Sequence, residues 1–200
     1  MILIACATGK ELGFFKPPAH VEMLVTGVGP VEAAAALSRT LAQSRYALVV
    51  AAGIAGAFPG AANVGDGVVV SEELFELGLE TGDPICLPEG QRAIEAASSD
   101  LSLVERLVEL GFACVRGVTV SRVTATSATA RRLAARGAGV ESMEGFAVLR
   151  AAEIAGVAAV ELRGISNIAG ERAASAWNFD EGVRGLERIL TALLAATGDR

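Results

Sequence analysis

The sequence contains few of the residues that build metal centres and disulfide frameworks. It has one histidine, His20, and three widely spaced cysteines, Cys6, Cys86 and Cys114, with no C-x-x-C pair. Structural zinc sites need clustered cysteine and histidine, and disulfide frameworks need paired cysteines, so neither is predicted. We expect the cysteines to be core thiols in a reducing cytosol, and we predict no metal and no other cofactor.

The sequence is also poor in aromatic residues and in positive charge. Aromatic residues make up 4% of the chain and the formal net charge is −6, which argues against a nucleic-acid surface. The longest near-continuous apolar run, residues 47–58, contains two glycines and is far shorter than the about 20 residues of a membrane span. We therefore expect a soluble cytoplasmic protein that acts on a small molecule and binds neither nucleic acid nor membrane.

The apolar residues that are present predict an α/β fold. The chain of 200 residues is 52% apolar, enough for one compact domain over residues 1–200. Apolar runs of strand length alternate with helical patterns, which is typical of parallel strands joined by helices. We predict strands near Met1–Cys6, Val21–Val25, Ala47–Ala52, Val68–Glu72, Val115–Ser121 and Ala158–Ile165. We predict helices near Val31–Gln43, Leu101–Leu110, Ala128–Arg136, Glu144–Ala155 and Glu181–Ala196.

A glycine-containing turn, residues 26–30, follows the second strand and precedes an alanine-rich helix. Such a turn lets a ligand approach backbone amides at a helix N-terminus, although a plain tight turn is nearly as good an interpretation. A dinucleotide fingerprint is disfavoured. Glu32 occupies the position of its third glycine, and the next strand ends without an acidic residue to hold a ribose.

Two further segments come at the predicted ends of buried strands, where open α/β sheets bind their ligands. Residues 51–57 are all small or aliphatic and leave room for a ligand, although helix packing would favour them too. Residues 163–167 place arginine, serine and asparagine at the end of the last strand, although Ser166 and Asn167 are equally suited to capping a turn.

Two carboxylates, Glu141 and Glu144, frame Ser142 and Met143 just before an apolar helix. A buried unpaired charge is costly, so their position is unusual, and the helix dipole offsets only part of that cost. The alternative is a capping arrangement in which Ser142 or Glu141 satisfies free amides at the helix start.

Taken together and in order, these segments resemble the nucleoside phosphorylase/nucleosidase superfamily. The resemblance covers nearly the whole chain, and residues 141–145 and 163–167 with Arg172 and Trp177 are most similar to its futalosine hydrolase branch, in the alternative menaquinone pathway. It implies a three-layer α/β/α fold around a mixed sheet, a homo-oligomer without metal, and hydrolytic release of hypoxanthine from a 5′-modified inosine.

The resemblance also implies roles for individual residues. Glu11 would orient the attacking water, Glu144 would hold the ribose 2′- and 3′-hydroxyls, and Met143 would pack against the sugar. Asn167 would contact the base. The other residues that the resemblance places at the substrate are Ala52, Gly53, Ser142, Arg172 and Trp177.

One departure from related enzymes bears on the base. Methylthioadenosine nucleosidases carry an aspartate where this chain has Asn167, and that aspartate protonates N7 of adenine. An amide can donate to O6 of a 6-oxopurine, whereas an ionised aspartate would repel it, so hypoxanthine or guanine is favoured.

The nucleophile is predicted to be water. Bacterial hexameric phosphorylases bind phosphate with an arginine just before the counterpart of residues 51–53, where this chain has Leu48, Val49 and Val50. A phosphorylase, a methylthioadenosine nucleosidase and a non-catalytic nucleoside-binding protein remain as alternatives, and arginines from a neighbouring subunit could complete the site.

Overall fold

The computed structural model describes residues 1–78, 85, 87–91, 93–171 and 177–197. Eight strands and five helices lie in this part of the chain. The strands are β1 (Ile2–Cys6), β2 (Val21–Val25), β3 (Leu48–Ala57), β4 (Gly67–Phe75), β5 (Ala96–Ser98), β6 (Ala113–Thr119), β7 (Val140–Ser142) and β8 (Ala158–Ile168). The helices are α1 (Pro30–Gln43), α2 (Leu101–Glu109), α3 (Ser127–Ala135), α4 (Gly145–Ile154) and α5 (Phe179–Thr197), and a short 3-10 turn spans Pro88–Gly90.

The strands form one mixed sheet that closes on itself at one side. β1 lies parallel between β2 and β3, and β3 pairs in parallel with β8 along its whole length. β8 pairs antiparallel with β4, β4 pairs parallel with β6, and β6 pairs parallel with β7. β7 then returns antiparallel to the end of β3, which completes a ring of five strands.

Helices cover both faces of the sheet because successive strand side chains point to opposite sides. On one face, Ile4 and Cys6 of β1 belong to a core shared with α2 and α5. On the other face, Leu3 and Ala5 pack with α1 and α4. The predicted three-layer α/β/α class with a central mixed sheet is confirmed.

The predicted helices agree with the observed ones within about two residues, the normal scatter of helix ends. β5 and β7 are not predicted, because three residues carry too little periodicity to register as strands. None of the described helices is long and apolar enough to span a membrane.

The cysteine prediction is confirmed only in part. Cys6 is buried, and burial together with the nearby Glu11 carboxylate raises its pKa to about 12. Cys114 is exposed rather than part of the core, because it lies in the half of β6 that precedes the pairing with β7. Cys86 lies outside the described residues.

Candidate active site

A cavity of about 250 Å³ opens where β1, β3 and β8 end. This volume suits a small molecule and is close to the lower end of the range for ligand pockets. Most of the site residues predicted from the sequence line its wall: Glu11, Ser142, Met143, Glu144, Asn167 and Trp177. Residues that are far apart in the chain therefore meet at one site.

Glu11 is fixed by hydrogen bonds to both of its carboxylate oxygens. One oxygen accepts from the backbone amide and the hydroxyl of Thr8, at 2.8 and 3.2 Å, and the other accepts from the amide of Ile54 at 3.1 Å. The side chain is buried, yet it lies in the cavity wall. Because Ile54 belongs to β3, the carboxylate is held against the sheet and has little rotational freedom.

Glu144 occupies the position before the first residue of α4, but its side chain does not cap the helix. Its Oε1 instead accepts a hydrogen bond of 2.8 Å from the amide of Gly29. Burial raises the pKa of Glu144, while the Arg163 guanidinium and the Gly29 hydrogen bond oppose that rise. The carboxylate thus needs nearby donors to remain ionised in its buried position.

The 26–30 turn supplies one of those donors. It is therefore not a plain tight turn, and the amide of Gly29 binds a protein carboxylate where a ligand was the other interpretation. Gly29 has a φ of 96°, a conformation that favours glycine, and its amide points at a carboxylate of the protein itself. Val28 lines the cavity.

Ser142 caps the start of α4, a role for which the sequence offered either Ser142 or Glu141. Its hydroxyl oxygen accepts from the amide of Gly145 at 3.1 Å, at the start of α4. Glu141 makes a different contact, because its carboxylate accepts from the amide of Thr124 at 3.2 and 3.3 Å. Glu141 also lines the cavity, so two carboxylates close in sequence face the same space.

Ser166 and Asn167 lie within β8 and do not cap a turn. The Ser166 hydroxyl contacts the Asn167 carboxamide oxygen at 2.9 Å and the carbonyl of Ala55 at 3.2 Å. Asn167 is 8% exposed and lines the cavity. Its amide is therefore oriented by a neighbouring side chain at the cavity wall.

The structure corrects the predicted end of β3. The strand does not end near Ala52 but continues to Ala57, because its second half pairs with β8 on one side and β7 on the other. Ala52 lies in the apolar core, and the cavity wall is formed by the next residues along the strand, Ile54, Ala55 and Gly56. The unbroken run of small and aliphatic residues through residue 57 was the available signal for this continuation.

Gly53 lies against the side chains of Arg163 and Glu11 and is not among the residues that line the cavity. It is opposite Arg163 in the β3–β8 register. A Cβ at this position would lie 2.4 Å from Arg163 Nη1 and 2.9 Å from Glu11 Oε1. The guanidinium and the Glu11 carboxylate thus both approach the bare backbone of Gly53.

Sequence reasoning placed Arg163 at a strand end and missed the two carboxylates behind the cavity, Glu161 and Glu73. Arg163 is 2% exposed and donates from Nε to Glu161 Oε1 at 2.7 Å. The nearby Glu73 is fully buried. Alternating charge within an apolar strand was the only signal for Glu161 and Arg163, and it did not distinguish a buried ion pair from a strand end.

The side of the site where Trp177 lies is described in part. Trp177 lines the cavity and is 49% exposed, so it stands between the cavity and solvent. Arg172, the other predicted contact on this side, lies outside the described residues. Within the described residues, no group of three or more histidine, cysteine and acidic side chains is arranged to hold a metal ion.

The fold and the cavity define an α/β protein with a small-molecule site lined by carboxylates at the strand ends. Residues 19–195 match the family model of the Phosphorylase superfamily. The chain belongs to this superfamily.

Named relatives cover most of the chain, and a solved structure shares its fold. The chain is 37% identical to the futalosine hydrolase of Thermus thermophilus, over 88% of this chain and 81% of that protein. It is 40% identical to the futalosine hydrolase of Acidothermus cellulolyticus, over 89% and 77% of the two chains. The structure of the 5′-methylthioadenosine/S-adenosylhomocysteine nucleosidase of S. pneumoniae, with a transition-state inhibitor, matches with a TM-score of 0.81 at 20% identity and covers 98% of each chain.

Proposed function

We propose that this protein is an N-glycosyl hydrolase that converts futalosine and water into hypoxanthine and dehypoxanthine futalosine, a step of menaquinone biosynthesis. The similarity to futalosine hydrolases along most of the chain supports this substrate. The observation that carries the chemistry is the convergence of Glu11, Glu144 and Asn167 on one cavity.

The reaction breaks the bond between the ribose C1′ and the purine nitrogen. The bonding electron pair leaves with the base, and positive charge develops on the ribose ring. Glu144, when ionised, accepts hydrogen bonds from the 2′- and 3′-hydroxyls and stabilises that charge more strongly in the transition state than in the substrate. Met143 packs against the sugar.

Glu11 acts on the nucleophile. The water oxygen bonds to C1′ while Glu11 accepts one of its protons, as the base does in inverting glycosidases. The hydrogen bonds from Thr8 and Ile54 hold the Glu11 carboxylate in one orientation. This fixed orientation favours proton transfer, because the carboxylate cannot rotate freely. The departing purine takes up a proton from solvent and leaves as neutral hypoxanthine, and Glu11 releases the proton that it accepted from water back to solvent.

The electrostatics of the cavity support water as the nucleophile. Its described lining includes Glu11, Glu141 and Glu144 but no lysine, arginine or histidine side chain. A phosphate dianion would enter next to these carboxylates with no cation in the described lining to contact it, which is costly in a partly buried site. Neutral water meets no such barrier.

Asn167 supports a 6-oxopurine as the base. The Ser166 hydroxyl contacts its carboxamide oxygen, so its amide nitrogen remains available to donate to O6 of hypoxanthine. A second Asn167 lone pair can accept from the N7 proton of the departing base.

The 5′ substituent of futalosine ends in an aromatic carboxylate. Two arginines are candidates to bind that carboxylate, because a guanidinium binds a carboxylate by two parallel hydrogen bonds. Arg122 is exposed and lies between Val120 and Val123, which line the cavity. Arg172 is the other candidate, and Trp177 would provide an apolar wall for the aromatic part.

The test is a parallel assay of purified protein with futalosine, inosine and methylthioadenosine, each with and without phosphate. We expect free hypoxanthine from futalosine without phosphate. Glu11→Gln and Glu144→Gln should each lose most turnover while remaining folded, whereas Glu153→Gln, an exposed carboxylate on α4, should retain it. A strict need for phosphate, faster release of adenine from methylthioadenosine, or a nucleoside bound but never cleaved would each reject the proposal.

We further propose that the protein is a single-domain, cytoplasmic homo-oligomer. Val25, Val28 and Val31 are more than half exposed around the 26–30 turn, which supports an apolar contact between copies beside the cavity. Light scattering after size-exclusion chromatography should give a mass above that of one chain of 20.4 kDa.

A further inference from the structure

Three ionisable side chains form a buried cluster behind the cavity: Glu73 of β4 and Glu161 and Arg163 of β8. Glu73 and Glu161 are 0% exposed and Arg163 is 2% exposed. Charges without water are expensive to maintain, so each member needs a specific partner. The role proposed above for the cavity residues uses none of the three.

Arg163 connects this buried cluster to the cavity. Its Nε donates to Glu161 Oε1 at 2.7 Å, while its Nη1 passes over Gly53 beside Glu11. Burial lowers the pKa of Arg163, but the neighbouring carboxylates, Glu161 first and then Glu144, raise it by more, so the guanidinium stays charged. Arg163 therefore places a fixed positive charge between Glu161 on one side and the cavity carboxylates on the other.

Glu73 connects the buried cluster to the start of α4. Its Oε1 accepts from the hydroxyls of Thr119 at 2.9 Å and Ser142 at 2.8 Å. Those hydroxyl oxygens in turn accept from the first amides of α4, Ser142 from Gly145 at 3.1 Å and Thr119 from Phe146 at 2.8 Å. Glu73 therefore braces the turn of chain that carries Glu144.

The two buried carboxylates face each other across Gly145. A Cβ on that residue would lie 2.4 Å from Glu161 Oε1 and 2.5 Å from Glu73 Oε1, which places these oxygens within about 5 Å of one another. Among the residues that the structure describes, Glu73 Oε2 and Glu161 Oε2 have no hydrogen-bond partner. Two ionised carboxylates in this arrangement would repel each other with no water to screen them.

We propose that Glu161 and Glu73 are positioning residues with unequal charge: Glu161 is ionised and orients Arg163 toward Glu11 and Glu144, while Glu73 is neutral and braces the start of α4. This inference rests on the proposed hydrolysis. Burial, and next the charge of Glu161, raises the pKa of Glu73 well above its ordinary value, although Arg163 and the two hydroxyls oppose this. Burial also raises the pKa of Glu161, but its direct hydrogen bond to the Arg163 guanidinium opposes that rise and favours the ionised form, a bond that Glu73 lacks.

The unequal charge has a function in this arrangement. An ionised Glu73 would compete for Arg163 and weaken the field that keeps Glu144 ionised. A neutral Glu73 keeps its hydrogen bonds to Ser142 and Thr119 and leaves the guanidinium to Glu161, Glu144 and Glu11. The charged groups that face the pair are thus Arg163, Glu144 and, beyond Gly53, Glu11.

The test compares the same substitution at two neighbouring buried positions. Glu73→Gln reproduces a neutral carboxyl, so kcat for futalosine should stay within about threefold of the parent. Glu161→Gln leaves Arg163 without its ionised partner, and a displacement of about 1 Å predicts a loss in kcat of about 100-fold with a much smaller change in KM. Glu153→Gln, on the surface, is the control.

An infrared measurement tests the charge assignment without substrate and without relying on a stable Glu161 variant. The parent protein at neutral pH should show the C=O stretch of a protonated carboxyl, and Glu73→Gln should remove it. An equal loss of kcat in both variants, full activity of Glu161→Gln, or a spectrum without the band that Glu73→Gln removes would overturn the inference. A parent protein that shows this band yet leaves futalosine intact would instead refute the proposed function.

Discussion

Replacing Gly53 by alanine tests whether Glu11 and Arg163 act at the same centre. The new Cβ would lie 2.4 Å from Arg163 Nη1 and 2.9 Å from Glu11 Oε1. An ordinary contact is about 3.4 Å, so the guanidinium must move by about 1 Å, and a misplacement of that size costs about 100-fold in rate. This corresponds to about 2.7 kcal/mol of lost transition-state stabilisation.

The assay is hypoxanthine release from futalosine under single-turnover and steady-state conditions, together with a thermal melt of each variant. Gly13→Ala is the matched control, since it lies two positions after Glu11 and its new Cβ would come no closer than 3.5 Å to the backbone. We expect Gly53→Ala to lose kcat and Gly13→Ala to retain it. A folded Gly53→Ala protein with the parental kcat would refute the assignment of Glu11 to the reacting centre.

Three further predictions concern the cavity and the cluster. Because burial raises the pKa of Glu144 and its ionised form binds the ribose, kcat/KM should fall as pH drops through a value above the ordinary range of glutamate; a pH profile with no such limb contradicts this. Asn167→Asp should lower the rate with inosine relative to adenosine, and an unchanged ratio would remove Asn167 from base recognition. Because the pKa of Glu73 is raised in the folded protein, its protonated form contributes stability that is fully present below the ordinary value of 4.5 and is lost as pH rises through the folded pKa. The Tm of the parent should therefore fall relative to Glu73→Gln as pH rises above about 4.5, and parallel Tm curves would contradict this.

The sequence was sufficient to predict the layers of the fold and the chain order of the site. Side chains of β1 alternate between two apolar cores, and the continuous apolar run that such a doubly buried strand requires is visible in the sequence. The residues of the cavity wall likewise lie at strand ends or helix starts, where turn-forming residues stand out. These features are local, so a pattern of neighbouring residues carries them.

What the sequence could not provide is the pairing between distant strands. Ring closure depends on Gly56 lying opposite Glu141 and opposite Asn167 at the same time, and no local pattern contains that register. The same pairing decides that β3 continues past Ala52 and that Ile54, not Ala52, lines the cavity. Local propensity ends a strand at glycines, but hydrogen bonds to two neighbours outweigh that cost of about 1 kcal/mol.

The buried cluster of Glu73, Glu161 and Arg163 also depends on contacts between strands. Here those contacts determine whether a buried charge is tolerated. A lone Glu161 in an apolar strand would be destabilising, and only the approach of Arg163, two residues along, makes its ionised form tolerable. A second carboxylate, Glu73, then enters from another strand and receives two hydroxyl donors, which can satisfy its Oε1 but cannot cancel the charge of Glu161. Apolar side chains at these three positions would cost less free energy to bury. The presence of ionisable groups behind the cavity wall is therefore best explained by the positive charge that Arg163 places beside Glu11 and Glu144.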